Sequence, residues 1–274
     1  MSRNAGPGDD RRETGVILYD KPAGITSHDV VARVRRGFER GVKVGHAGTL
    51  DPFATGLLLV LVGRATRVQR FLMELPKTYF TVARFGAVSS TGDPEGEIVE
   101  TGLVPDGDLE LPVGEVRQRP PAYSAVKVSG RRAYSLARAG ASVELAERCV
   151  TVHRFAELWR EGDRRAFEVE CSSGTYVRSL IAALGDAFCE ELRRVRIGPF
   201  DVADADPERV IGLDEALSFL PEVRLGGEDA VRAGHGARVP GEASGVARLT
   251  DDRGLVALAE PAEGAKLKPV VVLR

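Results

Sequence analysis

Six consecutive apolar residues, Leu57-Leu58-Leu59-Val60-Leu61-Val62, constrain this chain more than any other feature. The run shows no alternation, so it reads as a strand buried on both faces that other elements must cover. It falls far short of the ~20 residues of a membrane span, and no longer uninterrupted apolar run occurs, so no membrane crossing is expected. At 274 residues the chain has room for one large domain with a substantial core, or for one domain and a small appendage. The first ten residues hold no hydrophobic signal core, so a cytoplasmic location is expected rather than secretion.

The segments around this strand switch between two periodicities. Val16-Ile17-Leu18-Tyr19 reads as a strand and Asp20-Lys21-Pro22-Ala23-Gly24 as a turn. Thr26 or Ser27 can cap a helix whose apolar face is Val30, Val31, Val34 and Phe38. Val68, Phe71, Leu72 and Leu75 repeat at helical spacing. From Thr78 to Phe85 the period is two, with Tyr79, Thr81, Ala83 and Phe85 on one face. Residues 92–96 read as a loop or hairpin. A short helix is expected around Tyr134, Leu136 and Ala137, and strands at 150–160 and 166–172. Leu180, Ile181, Leu184 and Phe188 predict a helix, and Val195, Ile197 and Phe200 a strand. No steady strand–helix rhythm runs through the chain, so the expected class is α+β with a mixed sheet rather than a doubly wound fold. Residues 1–14 read as a disordered leader, 15–221 as the main domain and 222–274 as a small β-rich appendage.

The net charge of −2 conceals four blocks. Residues 1–85 carry a balance of +6, residues 86–114 hold seven acidic residues and no lysine or arginine, residues 115–200 carry +4 and residues 201–274 carry −5. If the two basic blocks meet in the fold they form a positive face, the electrostatic footprint of a nucleic-acid partner. Ordinary solvated surface produces the same pattern.

Gly45-His46-Ala47-Gly48-Thr49-Leu50-Asp51-Pro52 places one carboxylate on a constrained loop that feeds the buried strand. The glycines permit unusual backbone geometry, and Pro52 holds Asp51 extended. An aspartate so placed can act as nucleophile or base if a cation keeps it ionised while partly buried. By spacing alone, Asp-Pro after glycines is more often a plain turn, and His46 more often a loop or surface histidine. No Gly-Lys-Ser/Thr follows, so the loop is not a Walker-type phosphate cradle. No His, Cys or carboxylate cluster has metal-ligand spacing. Cys149, Cys171 and Cys189 lie too far apart for a Cys-x-x-Cys site and read as reduced thiols in or near the core.

Several segments, in order and content, resemble the TruB-type tRNA pseudouridine synthases. They are Asp20-Lys21-Pro22-Ala23-Gly24-Ile25-Thr26-Ser27, the loop 45–52 with Phe53-Ala54-Thr55-Gly56, Gly63-Arg64-Ala65-Thr66-Arg67 and Lys77-Thr78-Tyr79. Pro120-Pro121-Ala122-Tyr123-Ser124-Ala125-Val126-Lys127, Gly130-Arg131-Arg132-Ala133-Tyr134, Cys171-Ser172-Ser173-Gly174-Thr175-Tyr176-Val177-Arg178 and Leu192-Arg193-Arg194 follow. Together they cover residues 16–200, and so many motifs in family order are specific. The interval from Arg178 to Leu192 is shorter than in many members of the family.

The resemblance implies a largely antiparallel central sheet decorated by helices, with residues 222–274 as a short PUA-like domain. It implies isomerisation of uridine to pseudouridine at position 55, in the T loop of tRNA. No cofactor or metal is expected, the base is flipped out, and an aspartate is the nucleophile. Asp51 matches that aspartate; attack on the base, attack on the sugar and assisted elimination are routes open to it. Arg178 matches the arginine paired with it. Tyr79 matches the active-site tyrosine, which stacks on uracil and is a candidate to help remove the C5 proton. Tyr176 and Leu192 match residues lining the base pocket, and His46 the histidine beside the flipped nucleotides. Arg67, Lys127 and Lys21 are expected near phosphate or the pocket wall. The expected partner is the tRNA T stem-loop, bound by a monomer. A tRNA-folding chaperone role and a sister synthase acting on another RNA are the alternatives.

Overall fold

The computed structural model describes residues 14–121 and 145–274, and between them the backbone of 127–128 and 131–132. The leader through residue 13 and the short helix expected around Tyr134 lie outside the described residues. In chain order the strands are β1 (Gly15–Lys21), β2 (Val44–Ala47), β3 (Thr55–Val62), β4 (Lys77–Phe85), β5 (Ala87–Ser89), β6 (Ile98–Glu100), β7 (Gly114–Gln118), β8 (Lys127–Val128), β9 (Arg131–Arg132), β10 (Arg148–Glu161), β11 (Arg164–Cys171), β12 (Ala187–Ile197), β13 (Phe200–Asp201), β14 (Glu222–Arg224), β15 (Val239–Pro240), β16 (Ala247–Asp251), β17 (Gly254–Ala262) and β18 (Lys266–Val272). The α-helices are α1 (Ser27–Arg35), α2 (Gln69–Glu74), α3 (Val177–Ala182), α4 (Leu213–Ala216) and α5 (Gly227–Gly234).

Nine strands make the main sheet, in the order β1-β3-β12-β4-β11-β10-β7, with β2 also on β3 and β13 on β12. Its pairings are antiparallel except for β12 with β3. The architecture is therefore α+β with a mixed, largely antiparallel sheet. Strands β14 to β18 form a second sheet of five, and β5–β6 and β8–β9 are hairpins.

The burial of β3 explains its unbroken apolar run. Leu57, Leu59 and Leu61 pack with Phe71 and Leu72 of α2 and with Leu255, Leu258 and Leu273 from the C-terminal sheet. Leu58, Val60 and Val62 pack on the opposite face against Val30 and Val31 of α1. Thr26 caps α1 and forms a reciprocal capping box with Asp29. Phe38, beyond the end of α1, packs into the same cluster.

Two expectations need correction. The helix predicted through Phe188 stops at Ala182, and Phe188 lies on β12. The spacing of Leu180, Leu184 and Phe188 was coincidental: β12 starts just after the turn at Gly185, and Phe188 and Cys189 pair with Arg84 and Ala83 of β4 and are buried. Cys149 is exposed rather than near the core, while Cys171 and Cys189 are buried. Helix α5 was not foreseen, because its buried residues are only Ala230 and Ala233.

Candidate active site

The loop between β2 and β3 is fastened at every carbonyl from Gly48 to Pro52. Arg194 donates to the carbonyls of Gly48 (3.0 Å) and Thr49 (3.4 Å). Ser27 Oγ donates to the Leu50 carbonyl at 3.3 Å and accepts from the Leu50 N–H at 3.0 Å. The Asp51 carbonyl accepts from the Ala54 N–H at 3.2 Å. The Pro52 carbonyl accepts from the Gly24 N–H at 2.8 Å and from Lys21 Nζ at 3.2 Å. Gly48 turns through φ +87°, where a side chain would be strained. Asp51 therefore projects from a backbone that is set before any ligand arrives.

Its partner comes from α3, between β11 and β12 in the chain. Arg178, the second residue of α3, has only 3% of its side chain exposed. Its Nη2 lies 3.0 Å from Asp51 Oδ2, and its Nη1 lies 2.7 Å from Asp93 Oδ2 and donates to the Thr91 carbonyl at 2.8 Å. Asp93 comes from the acidic insert, accepts from Thr91 Oγ1 and the Glu95 N–H, and is buried. One guanidinium thus serves two carboxylates, with Asp93 enclosed and Asp51 at 32% exposure facing a cavity. Burial raises the Asp51 carboxyl above the ordinary carboxylate range. Arg178 is the main influence opposing this, and the negative charge of Asp93 adds to the rise.

The cavity encloses about 500 Å³, a common size for a small-molecule or base pocket. Asp51, Tyr79, Tyr176, Arg178 and Leu192 all line it. Tyr79 lies on β4 directly opposite Arg194 of β12. Burial raises its phenol, and Arg194 opposes that rise. Tyr176 caps the start of α3, where its N–H donates to Gln118 Oε1 at 2.8 Å. The Arg148 guanidinium sits 4.6 Å from the centre of the Tyr176 ring, a cation–π contact that fixes the ring.

Three of the other four expected residues, His46, Lys21 and Arg67, stand away from the cavity lining. His46, on β2, meets His28 edge to face at 5.4 Å between ring centres. Lys21 is fully buried, and its ammonium closes on the carbonyls of Pro22, Ile25 and Pro52, which places it behind the Asp51 loop rather than open to a phosphate. Arg67 donates to the Val272 carbonyl at 3.0 Å, which turns it toward the C-terminal sheet instead of the pocket wall. Lys127 lies on the short strand β8, and its side chain is outside the described residues.

Sequence reasoning missed Asp93, Lys77 and Arg194. Lys77 and Arg194 both line the cavity. Lys77 donates to the carbonyls of Met73 and Leu75, and burial lowers its pKa to about 8. Both had a signal, since they flank the matched tyrosine and leucine in their motifs. Asp93 had only the acidic block. Among the described residues, no group of three or more His, Cys, Asp or Glu could hold a metal ion, and no helix is long and apolar enough to cross a membrane.

Residues 35–177 match the family model of the TruB family pseudouridylate synthase (N terminal domain). The chain is 44% identical to the tRNA pseudouridine synthase B of Thermobifida fusca (strain YX), over 94% of this chain and 98% of that one. It is 40% identical to the tRNA pseudouridine synthase B of Mycobacterium tuberculosis (strain ATCC 25618 / H37Rv), over 95% and 96%. Among solved structures, a Cbf5-Nop10-Gar1 complex aligns with TM-score 0.71 and 28% identity, covering 96% of this chain and 85% of that one. The chain belongs to the TruB family of pseudouridylate synthases. It is an isomerase that converts uridine to pseudouridine.

Proposed function

We propose that this enzyme isomerises the uridine at position 55 in the T loop of tRNA, with Asp51 as the nucleophile acting on a base flipped into the cavity. The observation that carries this is the Asp51–Arg178 pair, 3.0 Å apart in the lining of a cavity that Tyr79, Tyr176 and Leu192 also line. In the overall reaction the N1–C1′ bond breaks, the uracil turns, C5 bonds to C1′, the C5 proton leaves and N1 takes up a proton. Nothing is oxidised or reduced.

Each residue has a part suited to its setting. Arg178 keeps the Asp51 carboxylate ionised and aimed despite its burial. Tyr79 and Tyr176 give the extruded base aromatic surfaces, and Leu192 an apolar one. These contacts offset a flipping cost of about a few kcal/mol. Unstacked loop bases are the usual targets of sequence-specific RNA recognition. Residues 15–221 supply this machinery, and residues 222–274 serve as a PUA-like unit gripping another part of the tRNA.

The test is a modification assay on a T stem-loop RNA with the modified position mapped. Wild-type protein should convert one loop uridine. Asp51→Asn should abolish product while retaining RNA binding. Folded wild-type protein that makes no pseudouridine would refute the reading, and product from Asp51→Asn would refute the role of Asp51.

A further inference from the structure

Arg194 is among the largest fully buried side chains of the molecule, with 1% exposure. Its partners are backbone carbonyls rather than a carboxylate. Nε donates to Leu57 at 2.8 Å, Nη1 to Thr49 at 3.4 Å and Nη2 to Gly48 at 3.0 Å. A guanidinium stripped of water with no neutralising partner carries a large desolvation cost, and apolar side chains often serve a sheet interior as well or better. Stability alone therefore does not account for a cation here.

Its position suggests what does. On β12, Arg194 lies between Tyr79 of β4 on one side and Gly56 of β3 on the other. The approach to β3 is so close that a Cβ on Gly56 would lie 2.2 Å from the Arg194 carbonyl oxygen, and Gly56 also adopts φ +102°. This crowding brings the guanidinium within reach of the loop that carries Asp51. One rigid, planar group with five donors thus touches β3 and the loop, opposite Tyr79 in the sheet.

We propose that Arg194 is a positioning residue for the isomerisation: it holds the Asp51 loop and the Tyr79 side chain in one frame, so that both meet the flipped base in fixed relation. The proposal rests on the pseudouridine synthase reading above. Arg194 need not touch the substrate to do this. Its charge also favours the ionised phenol of Tyr79, against the effect of burial.

The test is a double-mutant cycle with T stem-loop RNA, using Arg194→Met and Tyr79→Phe singly and together. Thermal unfolding serves as the check on folding. In an otherwise wild-type enzyme, Arg194→Met should lower kcat by about 100-fold with KM nearly unchanged, because misplacement by about an ångström has that effect. In the Tyr79→Phe background the same change should cost far less, since residues acting as one unit are non-additive. Equal losses in the two backgrounds, or an effect confined to KM, would overturn the proposal. If Arg194→Met does not fold, Arg194→Lys replaces it in the cycle under the same criteria, since it keeps the charge and loses the fork. Wild-type activity separates the two levels. An inactive, folded wild type removes the functional reading and this inference with it. An active wild type with a multiplicative cycle removes this inference alone.

Discussion

Arg178 faces two carboxylates, and the difference between them sets its chemistry. Asp93 is enclosed and fully engaged, so it anchors the guanidinium; Asp51 is open to the cavity and receives the other end of the fork. Because burial raises the Asp51 carboxyl and Arg178 opposes this, Arg178→Gln should raise it further. In the proposed mechanism the nucleophile is the ionised form, so activity is lost as pH falls through the Asp51 pKa. The acid limb of the kcat profile should therefore move to higher pH, by about one to three units. Asp93→Asn should move the same limb the opposite way, since the Asp93 charge raises Asp51. It should also lower kcat about tenfold, the equivalent of one charge-assisted hydrogen bond of about 1.5 kcal/mol. Profiles measured on both variants check the pair, and limbs that move together would contradict the arrangement. Arg178→Lys keeps a charge but cannot span both carboxylates, so its kcat should fall by about 100-fold with little change in melting temperature.

At the scale of elements, local pattern and long-range contact divide what could be read in advance. The unbroken run of β3, the alternation of β4 and the Thr26 cap of α1 are local signals, and the structure follows them. Asp51 and Arg178 were legible through their motifs. Asp93 was not, because its meaning depends on a contact 85 residues away. Arg67 and Lys21 share that limit. A basic residue in a phosphate-like context gives no sign that its donors close on Val272, 205 residues on, or on the Pro52 carbonyl of the loop that carries Asp51. Lys21 is therefore part of the scaffold, and burial lowers its pKa to about 8. Lys21→Met should destabilise the fold by about 1–3 kcal/mol, because buried carbonyls lose their donor. It should leave the salt dependence of RNA binding unchanged, since a residue that contacts no phosphate releases no counterion. A shallower slope of log K against log salt would return Lys21 to the RNA interface.

At the scale of the whole molecule, the C-terminal sheet shares a core with strand β3 of the main sheet. Leu258 of β17 is fully buried in the cluster that contains Leu57, Leu59 and Leu61. Arg64 and Arg67 donate to the carbonyls of Leu273 and Val272, and Arg70 pairs with Glu260 at 3.0 Å. The exposed Arg70 pair contributes little by itself. The shared apolar cluster matters more, because cutting it would leave one face of β3 in water. This predicts one cooperative unfolding transition for both sheets. The chain's single tryptophan, Trp159, reports on it from β10 of the main sheet, outside the shared cluster. Leu258→Ala should destabilise the protein by about 2–5 kcal/mol, the usual range for a leucine deleted from a packed core. The denaturation midpoint read from Trp159 fluorescence should fall together with that read from circular dichroism. A Trp159 midpoint that stays at the wild-type value while the C-terminal sheet melts early would mean two independently folding units, and the apolar contact between them would then be incidental to the stability of the active site.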